Sequence, residues 1–281
     1  MTTHETISEH RCFGGVQGYY KHASSVCQSS MRFSVYQPPQ AQLGPVPVLY
    51  YLAGLTCTEE TFAIKAGAQR IAAELGLMLV APDTSPRDVS LAGDTADWDF
   101  GRGAGFYVDA TEAPWSAHYK MYQYVSEELP ALIHSTFPAR ADAQGIFGHS
   151  MGGHGALVIG LRNLDRYRSI SAFAPIAAPS HCPWGQKAFT GYLGADQSRW
   201  LAYDASALVL DQQCPTRILI DQGTADPFLA KQLMPERFVE ACRLAGQKVE
   251  LRMHAAYDHG YYFIQSYVED HLRHHAAVLG G

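Results

Sequence analysis

Gly148-His149-Ser150-Met151-Gly152-Gly153 is the most informative segment of this 281-residue chain. The apolar pair Ile146-Phe147 precedes it, and a helix-like segment over residues 154–159 follows it. Gly-x-Ser-x-Gly between a short strand and a helix is typical of a nucleophile elbow. The sharp turn strains the serine backbone, and the two flanking glycines leave room for neighbouring backbone. The motif predicts that Ser150 is a nucleophile held at a helix N-terminus, where free N–H groups favour negative charge.

Composition indicates an ordinary globular protein. The chain is 47% hydrophobic and 17% charged, and it is long enough to bury a sizeable core. A net charge of −6 without a basic run argues against a nucleic-acid partner, because affinity for phosphate backbones depends on clustered Lys and Arg. Residues 1–10 are polar, unlike a secretory signal, and no run of eighteen apolar residues predicts a membrane span. We therefore expect a cytoplasmic protein without membrane contacts.

The cysteines are scattered, with no C-x-x-C pair and no zinc-ligand spacing. In a chain of this size without a signal segment we expect free thiols and no metal site, although a disulfide is compatible with the sequence. The six are Cys12, Cys27, Cys57, Cys182, Cys214 and Cys242.

Apolar segments alternate with helix-like segments and predict an α/β fold with a mostly parallel sheet. Residues 47–52 are nearly all apolar, as a central parallel strand should be. A helix over 58–75 that stops at Gly76 and a strand over 77–81 complete a βαβ unit. Residues 14–36 predict an antiparallel N-terminal hairpin. The other predicted elements are a helix over 119–137 interrupted at Pro130, strands over 169–174, 216–221 and 249–254, and a closing helix over 261–277.

One long segment, residues 82–113, breaks this alternation and is rich in Asp, Gly and Ser. A loop of this length inside a compact domain is usually functional. Its glycines, Gly101, Gly103 and Gly105, do not form the dinucleotide fingerprint, and no strand ends directly before them. No repeat or linker divides the chain. We expect one α/β-hydrolase domain over residues 1–281, with helices flanking the sheet and no nucleotide cofactor.

An acid for Ser150 should follow it in the chain, because the order in this architecture is serine, acid, histidine. Two carboxylates, Asp221 and Asp226, follow the predicted strand over 216–221. Asp226 lies beyond a Gly-containing turn, from which its side chain can reach a histidine, and is the favoured acid. Asp221 is the alternative, and its other role would be a loop-fixing hydrogen bond.

The favoured base is His259, which lies on a loop between the last strand and the closing helix. His254 falls within that strand, and the side chain of His149 should point away from Ser150. The remaining C-terminal histidines fall at helical spacing, which predicts a solvated polar face. They are His271, His274 and His275.

Such a triad forms an acyl-enzyme and needs two N–H donors for the oxyanion that develops. One donor is the backbone N–H of Met151, the residue after the nucleophile. The other should come from the loop after the strand over 48–52. There the N–H of Leu55 is the best candidate, because Gly54 lets the turn approach closely.

Six blocks of sequence, spread over nearly the whole chain, identify a family more specifically than the elbow motif does. They cover residues 53–58, 81–87, 97–101, 103–111, 148–155 and 257–259, and include Ala81-Pro82-Asp83-Thr84-Ser85-Pro86-Arg87 and Asp97-Trp98-Asp99-Phe100-Gly101. Together they resemble the S-formylglutathione hydrolases, the esterase D family. One departure is the segment 87–93, where the family more often has a glycine after the arginine.

The resemblance implies hydrolysis of S-formylglutathione to formate and glutathione, the last step of glutathione-dependent formaldehyde detoxification. It implies a cytoplasmic homodimer that needs no cofactor. It also implies the same triad, Ser150, Asp226 and His259, and the same oxyanion donors, Leu55 and Met151.

The family also has a cysteine beside the site that makes the enzyme thiol-sensitive, and Cys57 matches it. Direct catalysis by Cys57 is disfavoured, because its neighbours Thr56 and Thr58 supply no base. The resemblance therefore implies a modulatory thiol.

This substrate has a small acyl group and an anionic peptide as leaving group. The acyl pocket should be tight, because excluding each further methylene is worth about 1–3 kcal/mol. The glutathione side should be open and carry cations and aromatic rings. Candidates are Trp184, Lys187 and Phe228, with Lys65 in the helix after the oxyanion loop; surface charge and core packing are the alternative roles.

Two other functions remain possible from the sequence. A broad-specificity carboxylesterase or acyltransferase would use the same triad on other esters. A binding protein on an inactive scaffold would usually have lost the serine, the acid or the histidine, and here all three stand in order.

Overall fold

The computed structural model describes residues 4–280, so that residues 1–3 of the polar N-terminal segment and residue 281 lie outside the described residues. One nine-stranded sheet runs through the molecule in the order β1-β2-β3-β5-β4-β6-β7-β8-β9. The strands are β1 His4–Cys12, β2 Gly15–Ser24, β3 Ser29–Gln37, β4 Val46–Leu52, β5 Met78–Pro82, β6 Ala139–His149, β7 Tyr167–Phe173, β8 Ile218–Gly223 and β9 Val249–His254.

Helices connect and flank these strands. The α-helices are α1 Glu59–Lys65, α2 Gln69–Leu75, α3 Met121–Gln123, α4 Leu129–Thr136, α5 Met151–Arg162, α6 Pro183–Leu193, α7 Ala205–Leu208, α8 Pro235–Ala245 and α9 Tyr261–Leu279. Shorter 3₁₀ segments are Pro39–Gln42, Trp115–Ala117, Pro179–His181 and Gln197–Tyr203, and Tyr124–Glu128 and Leu229–Leu233 are π-helical. No helix within residues 4–280 combines the length and the apolar character that crossing a membrane requires.

The pairing of the strands confirms a mostly parallel sheet with antiparallel N-terminal strands. β5, β4, β6, β7, β8 and β9 run parallel to one another, whereas β1, β2 and β3 are antiparallel and β3 pairs antiparallel with β5. The predicted hairpin is β2–β3, and the edge strand β1 is an addition to it. Most side chains of β1 are exposed, so its sequence lacks the apolar alternation that marks a half-buried strand.

Two predicted helices differ from the observed ones. The helix expected over 58–75 is divided into α1 and α2, and Gly67 between them has a left-handed φ of +66°. Gly76 ends α2 with φ +69°, as predicted. The helix expected over 119–137 widens to a π-helical turn over Tyr124–Glu128, directly before Pro130. A proline has no N–H to donate and its ring crowds the preceding turn, which accounts for the widening.

The prediction of a solvated histidine face on the closing helix is wrong for His271 and His275, both of which are fully buried. They belong to the face of α9 that packs on the sheet, together with Val268, Leu272 and Leu279. These five positions follow the spacing of a buried helical stripe, a signal already present in the sequence. His274, one residue along, is only half-buried.

Candidate active site

Ser150 joins β6 to α5 at the carboxyl edge of the sheet. Its backbone has φ +59° and ψ −119°, a conformation that costs free energy in a residue other than glycine. The N–H of Ser150 donates to the carbonyl oxygen of Phe173 on β7 at 3.0 Å, and its own carbonyl accepts from His154 and Ile176. These bonds hold the strained turn, so the serine side chain has a fixed position at the start of the helix.

The two glycines of the motif are needed because backbone passes directly over them. A Cβ at Gly148 would overlap the carbonyl oxygen of Gly152, and a Cβ at Gly152 would overlap that of Leu52. Gly54 faces the serine itself, since a Cβ there would lie 3.2 Å from the Cβ of Ser150. The predicted steric role of Gly148 and Gly152 is confirmed.

Asp226 and His259 are brought into contact by two loops at the same edge. His259 Nδ1 lies 2.6 Å from Asp226 Oδ2. The carboxylate is fully buried, and it also accepts from the Phe228 N–H at 2.8 Å and from Gln222 Nε2 at 3.2 Å. The loops are joined by a hydrogen bond from the Ala225 N–H to the Tyr257 carbonyl. Asp226 is therefore held as an acceptor for the Nδ1 proton, which leaves Nε2 of His259 for a substrate or a serine.

The alternative acid, Asp221, points away from this edge into the interior. Arg252 donates to both of its oxygens, at 2.6 and 2.5 Å, and His254 and His271 lie within 3.3 Å. Burial alone would raise the pKa of Asp221, but hydrogen bonds from His271 and Arg252 outweigh it and hold that pKa well below its ordinary value. Asp221 is thus a fixed carboxylate inside a buried network.

The loop after β4 presents a free N–H close to Ser150. Thr56 donates its N–H to Gly103 and Cys57 donates to Gly54, whereas the N–H of Leu55 has no acceptor within residues 4–280. Leu55 lines the same cavity as Ser150. Met151 occupies the first position of α5, where an α-helix leaves N–H groups without an intrahelical partner. Both backbone donors expected for an oxyanion hole therefore flank Ser150.

The long loop 82–113 supports the loop after β4 from outside. Thr84 Oγ1 and Arg87 Nη2 both donate to the Cys57 carbonyl, at 2.6 and 2.9 Å. Tyr107, fully buried, donates its hydroxyl proton to the Ala53 carbonyl at 2.9 Å. Arg87 is itself fixed by a 2.7 Å ion pair with Asp83. The loop 82–113 thus holds the Leu55 N–H in place.

A cavity of about 280 Å³ opens over these groups. Ser150, His259 and Leu55 line it. One group of lining residues is aromatic: Trp98, Trp184 and Phe228 pack against one another. A second group consists of Cys57 before α1, Thr61 and Lys65 on α1, and Tyr261, the first residue of α9.

The sequence-predicted substrate residues separate into two groups. Trp184 and Phe228 line the cavity and pack together with ring centroids 4.7 Å apart. Lys187 does not line it; its ammonium is paired with Asp97 at 3.0 Å and Asp99 at 2.5 Å, beside a different surface groove. Lys65, in contrast, lies at the cavity wall.

His149 differs from the expectation that its side chain points away from the site. Its ring lines the cavity and lies 4.4 Å, centroid to centroid, from the ring of His259. Burial and the neighbouring His259 lower the pKa of His149 well below its ordinary value, so the ring is neutral. Trp98 and Tyr261 were also missed, although Trp98 stands in a block that carries the family resemblance and Tyr261 opens the helix after His259.

Cys57 is half-buried in the cavity wall, and burial raises the pKa of its thiol. It is therefore protonated near neutral pH and a poor nucleophile. All six cysteines are free thiols, as predicted. Within residues 4–280, no group of three or more His, Cys, Asp and Glu side chains is arranged to hold a metal ion.

Comparisons with known proteins identify the family of this chain. The family model "Putative esterase" matches residues 24–274. A Mus musculus protein named S-formylglutathione hydrolase is 54% identical over 275 residues, 97% of this chain and 98% of that protein. One from Paracoccus denitrificans is 52% identical over 277 residues, 99% of each chain. The solved structure of an S-formylglutathione hydrolase from Agrobacterium tumefaciens superimposes with a TM-score of 0.96 at 52% identity, covering 98% of this chain and 100% of that one. The chain belongs to the S-formylglutathione hydrolase family of esterases.

Proposed function

We propose that this protein is a serine thioesterase that hydrolyses S-formylglutathione to formate and glutathione. The observation that carries the proposal is the arrangement at one cavity of a strained serine, Ser150, and a histidine whose Nδ1 is bonded to a buried aspartate, Asp226. Relatives named for this activity, 52–54% identical over nearly their whole length, support the choice of substrate.

His259 is the base and Asp226 its orienting acid. Nε2 of His259 takes the proton of Ser150 as Oγ attacks the formyl carbon, and Asp226 fixes the imidazole tautomer and stabilises the imidazolium. The tetrahedral intermediate collapses with cleavage of the C–S bond, and the leaving thiolate takes the proton from His259. Water then attacks the formyl ester, passes a proton to His259, and releases formate while Ser150 regains its proton.

The N–H groups of Leu55 and Met151 stabilise the oxyanion in both steps. Their position is set before the substrate arrives, because the loop of Leu55 is held by Tyr107, Thr84 and Arg87. Donors that need no reorganisation account for the largest part of such catalysis, and losing one typically costs about 3 kcal/mol.

A carboxylesterase of broad specificity is the second candidate. The aromatic group Trp98, Trp184 and Phe228 favours it, because packed aromatic rings accept an aromatic alcohol as well as a thiol peptide. Both activities use the same triad, so only relative rates distinguish them.

The deciding experiment compares kcat/KM for S-formylglutathione, S-acetylglutathione and p-nitrophenyl acetate. We expect a strong preference for the formyl thioester, because an extra methyl group must be excluded from a tight acyl pocket. Comparable or higher rates on the aryl ester would instead identify a general esterase. A Ser150→Ala control shows which rates depend on the proposed nucleophile.

We propose that Cys57 modulates access to the site and is not a catalyst. Its thiol lines the cavity, so alkylation would fill space needed by the substrate. Iodoacetamide is expected to inhibit the wild type, whereas Cys57→Ser retains most activity and resists inhibition. Loss of activity in the serine variant would make the thiol catalytic.

We also propose a single-domain, cytoplasmic homodimer. The uninterrupted nine-stranded sheet supports one domain, which should unfold in one calorimetric transition. The family resemblance supports the dimer and the location. Light scattering after size exclusion and cell fractionation test them, and a monomeric mass or a secreted protein would contradict them.

A further inference from the structure

Lys65 lies at the wall of the cavity that holds Ser150 and His259. Among the residues that the structure describes, no other Lys or Arg and no Asp or Glu lines that cavity. The side chain of Lys65 is exposed, and within residues 4–280 it has no carboxylate partner. Its ammonium lies 5.8 Å from the ring centroid of Tyr261, within the range of a cation–π contact. Lys65 therefore offers an unneutralised charge beside the reacting groups.

A second depression of about 370 Å³ shares two lining residues, Lys65 and Tyr261, with the cavity. The rest of its lining is Tyr262, which is 84% exposed, and Gln265, both on the first turns of α9. Ammonium, hydroxyl and amide groups are all hydrogen-bond donors, and again no acidic side chain lines the space. This depression is suited to an anion that extends from the catalytic cavity.

Glutathione has two different ends that could lie there. The γ-glutamyl end carries both an ammonium and a carboxylate, whereas the glycyl end carries a carboxylate alone. A site with one cation and no acid would leave the γ-glutamyl ammonium facing Lys65 unpaired. The glycyl end avoids this repulsion, and two extended residues, Cys and Gly, span only about 7 Å from the reacting sulfur.

We propose that Lys65 binds the glycyl carboxylate of the substrate in this second depression, as a specificity residue for the glutathione leaving group. The inference rests on the proposed function and adds which end of the peptide lies where. It also explains the difference between two lysines, since Lys187 is already neutralised by Asp97 and Asp99 and does not line the cavity.

Kinetics of Lys65→Met test the proposal. KM for S-formylglutathione should rise about three- to tenfold with kcat unchanged, because a partly exposed ion pair that is present in both ground state and transition state is lost. The rate with p-nitrophenyl acetate, which has no carboxylate, should not change. Lys65→Arg should keep most of the affinity, and Lys248→Met, an exposed lysine at the opposite edge of the sheet, is the matched control.

A modified substrate completes a double-mutant cycle. The glycyl amide of S-formylglutathione should raise KM in the wild type as much as Lys65→Met does with the parent substrate, and the two changes together should add nothing further. Additive effects, an unchanged KM in Lys65→Met, or an equal loss of p-nitrophenyl acetate hydrolysis would overturn the proposal. If the wild type hydrolyses the aryl ester but not S-formylglutathione, the proposed function fails and this inference with it.

Discussion

The molecule contains two sets of serine, histidine and aspartate, and only one of them has the means to react. At the cavity, His259 Nδ1 contacts Asp226 and lines the same space as Ser150. Inside the molecule, Ser171 Oγ lies 2.8 Å from His271 Nδ1, and His271 Nε2 lies 3.3 Å from Asp221. The residue types match, but the surroundings differ in every respect that matters for catalysis.

The buried set lacks solvent access and a strained turn. Ser171 lies in the middle of β7 with no exposed surface, and its hydroxyl is shared with His275 Nε2 at 2.8 Å. Both carboxylate oxygens of Asp221 already accept hydrogen bonds from Arg252. Neighbouring Ser, His and Asp side chains therefore do not make a nucleophile unless a cavity, a strained turn and N–H donors accompany them.

The buried set has a structural task instead. Ser171 is on β7, Asp221 on β8, and His271 and His275 are on α9, so the contacts join the last helix to strands β7 and β8. Helix α9 begins two residues after His259. Hydrogen bonds between buried side chains favour one arrangement of the elements they join. The buried set thus helps to place the loop that carries His259.

The largest difference is expected between alanine variants of the two serines, Ser150 and Ser171. Ser150→Ala is expected to lower kcat by a factor on the order of a million while the protein stays folded. Ser171→Ala should retain turnover but lose about 1–3 kcal/mol of unfolding free energy, because it leaves buried imidazole nitrogens without a partner. Steady-state kinetics and urea denaturation of the two variants measure this. Near-normal activity in Ser150→Ala would contradict the assignment of Ser150 as the nucleophile of the triad.

The next largest difference is expected between variants of the two aspartates, Asp226 and Asp221. Asp226→Asn is expected to lower kcat by about 10⁴, because the amide favours the wrong imidazole tautomer. Asp221→Asn should keep its kcat at low temperature but lose about 3 kcal/mol of stability, since Arg252 loses its buried counter-charge. Kinetics below the melting temperature and calorimetry distinguish the two. An equal loss of kcat in both variants would mean that the buried set takes part in the reaction.

The two sets also show which residues could be placed from the sequence and which could not. Ser150 was predictable because a five-residue motif specifies its backbone, and Asp226 and His259 followed from chain order. His271 and His275 were misplaced because histidine is polar, although their spacing along α9 is that of a buried stripe; which strands the stripe meets is not visible in that spacing. Asp221 and Ser171 lie 50 residues apart, and only the pairing of β7 with β8 brings them to α9.

The smallest expected effect is on how the free energy of unfolding changes with pH. Burial lowers the pKa of His275 well below its ordinary value, so the native ring stays neutral while the unfolded ring gains a proton below about pH 6.5. Stability should therefore fall as pH falls, by about 1.4 kcal/mol at pH 5.5 from this group alone. His275→Gln, which can still donate to Ser171, should lose less between pH 7.5 and 5.5 in urea titrations. An identical loss in both proteins would show that His275 is not the group responsible.

Labelling with a fluorophosphonate shows which serine is the nucleophile, because the reagent reacts with a serine hydroxyl that has been activated. The phosphorus is attacked by the activated hydroxyl and fluoride leaves, so digestion and mass spectrometry identify the serine that reacted. We expect one adduct per chain, on the peptide that contains Ser150, formed far more slowly in Asp226→Asn and at the wild-type rate in Asp221→Asn. An adduct on Ser171, or none on Ser150 in protein that hydrolyses S-formylglutathione, would contradict the account.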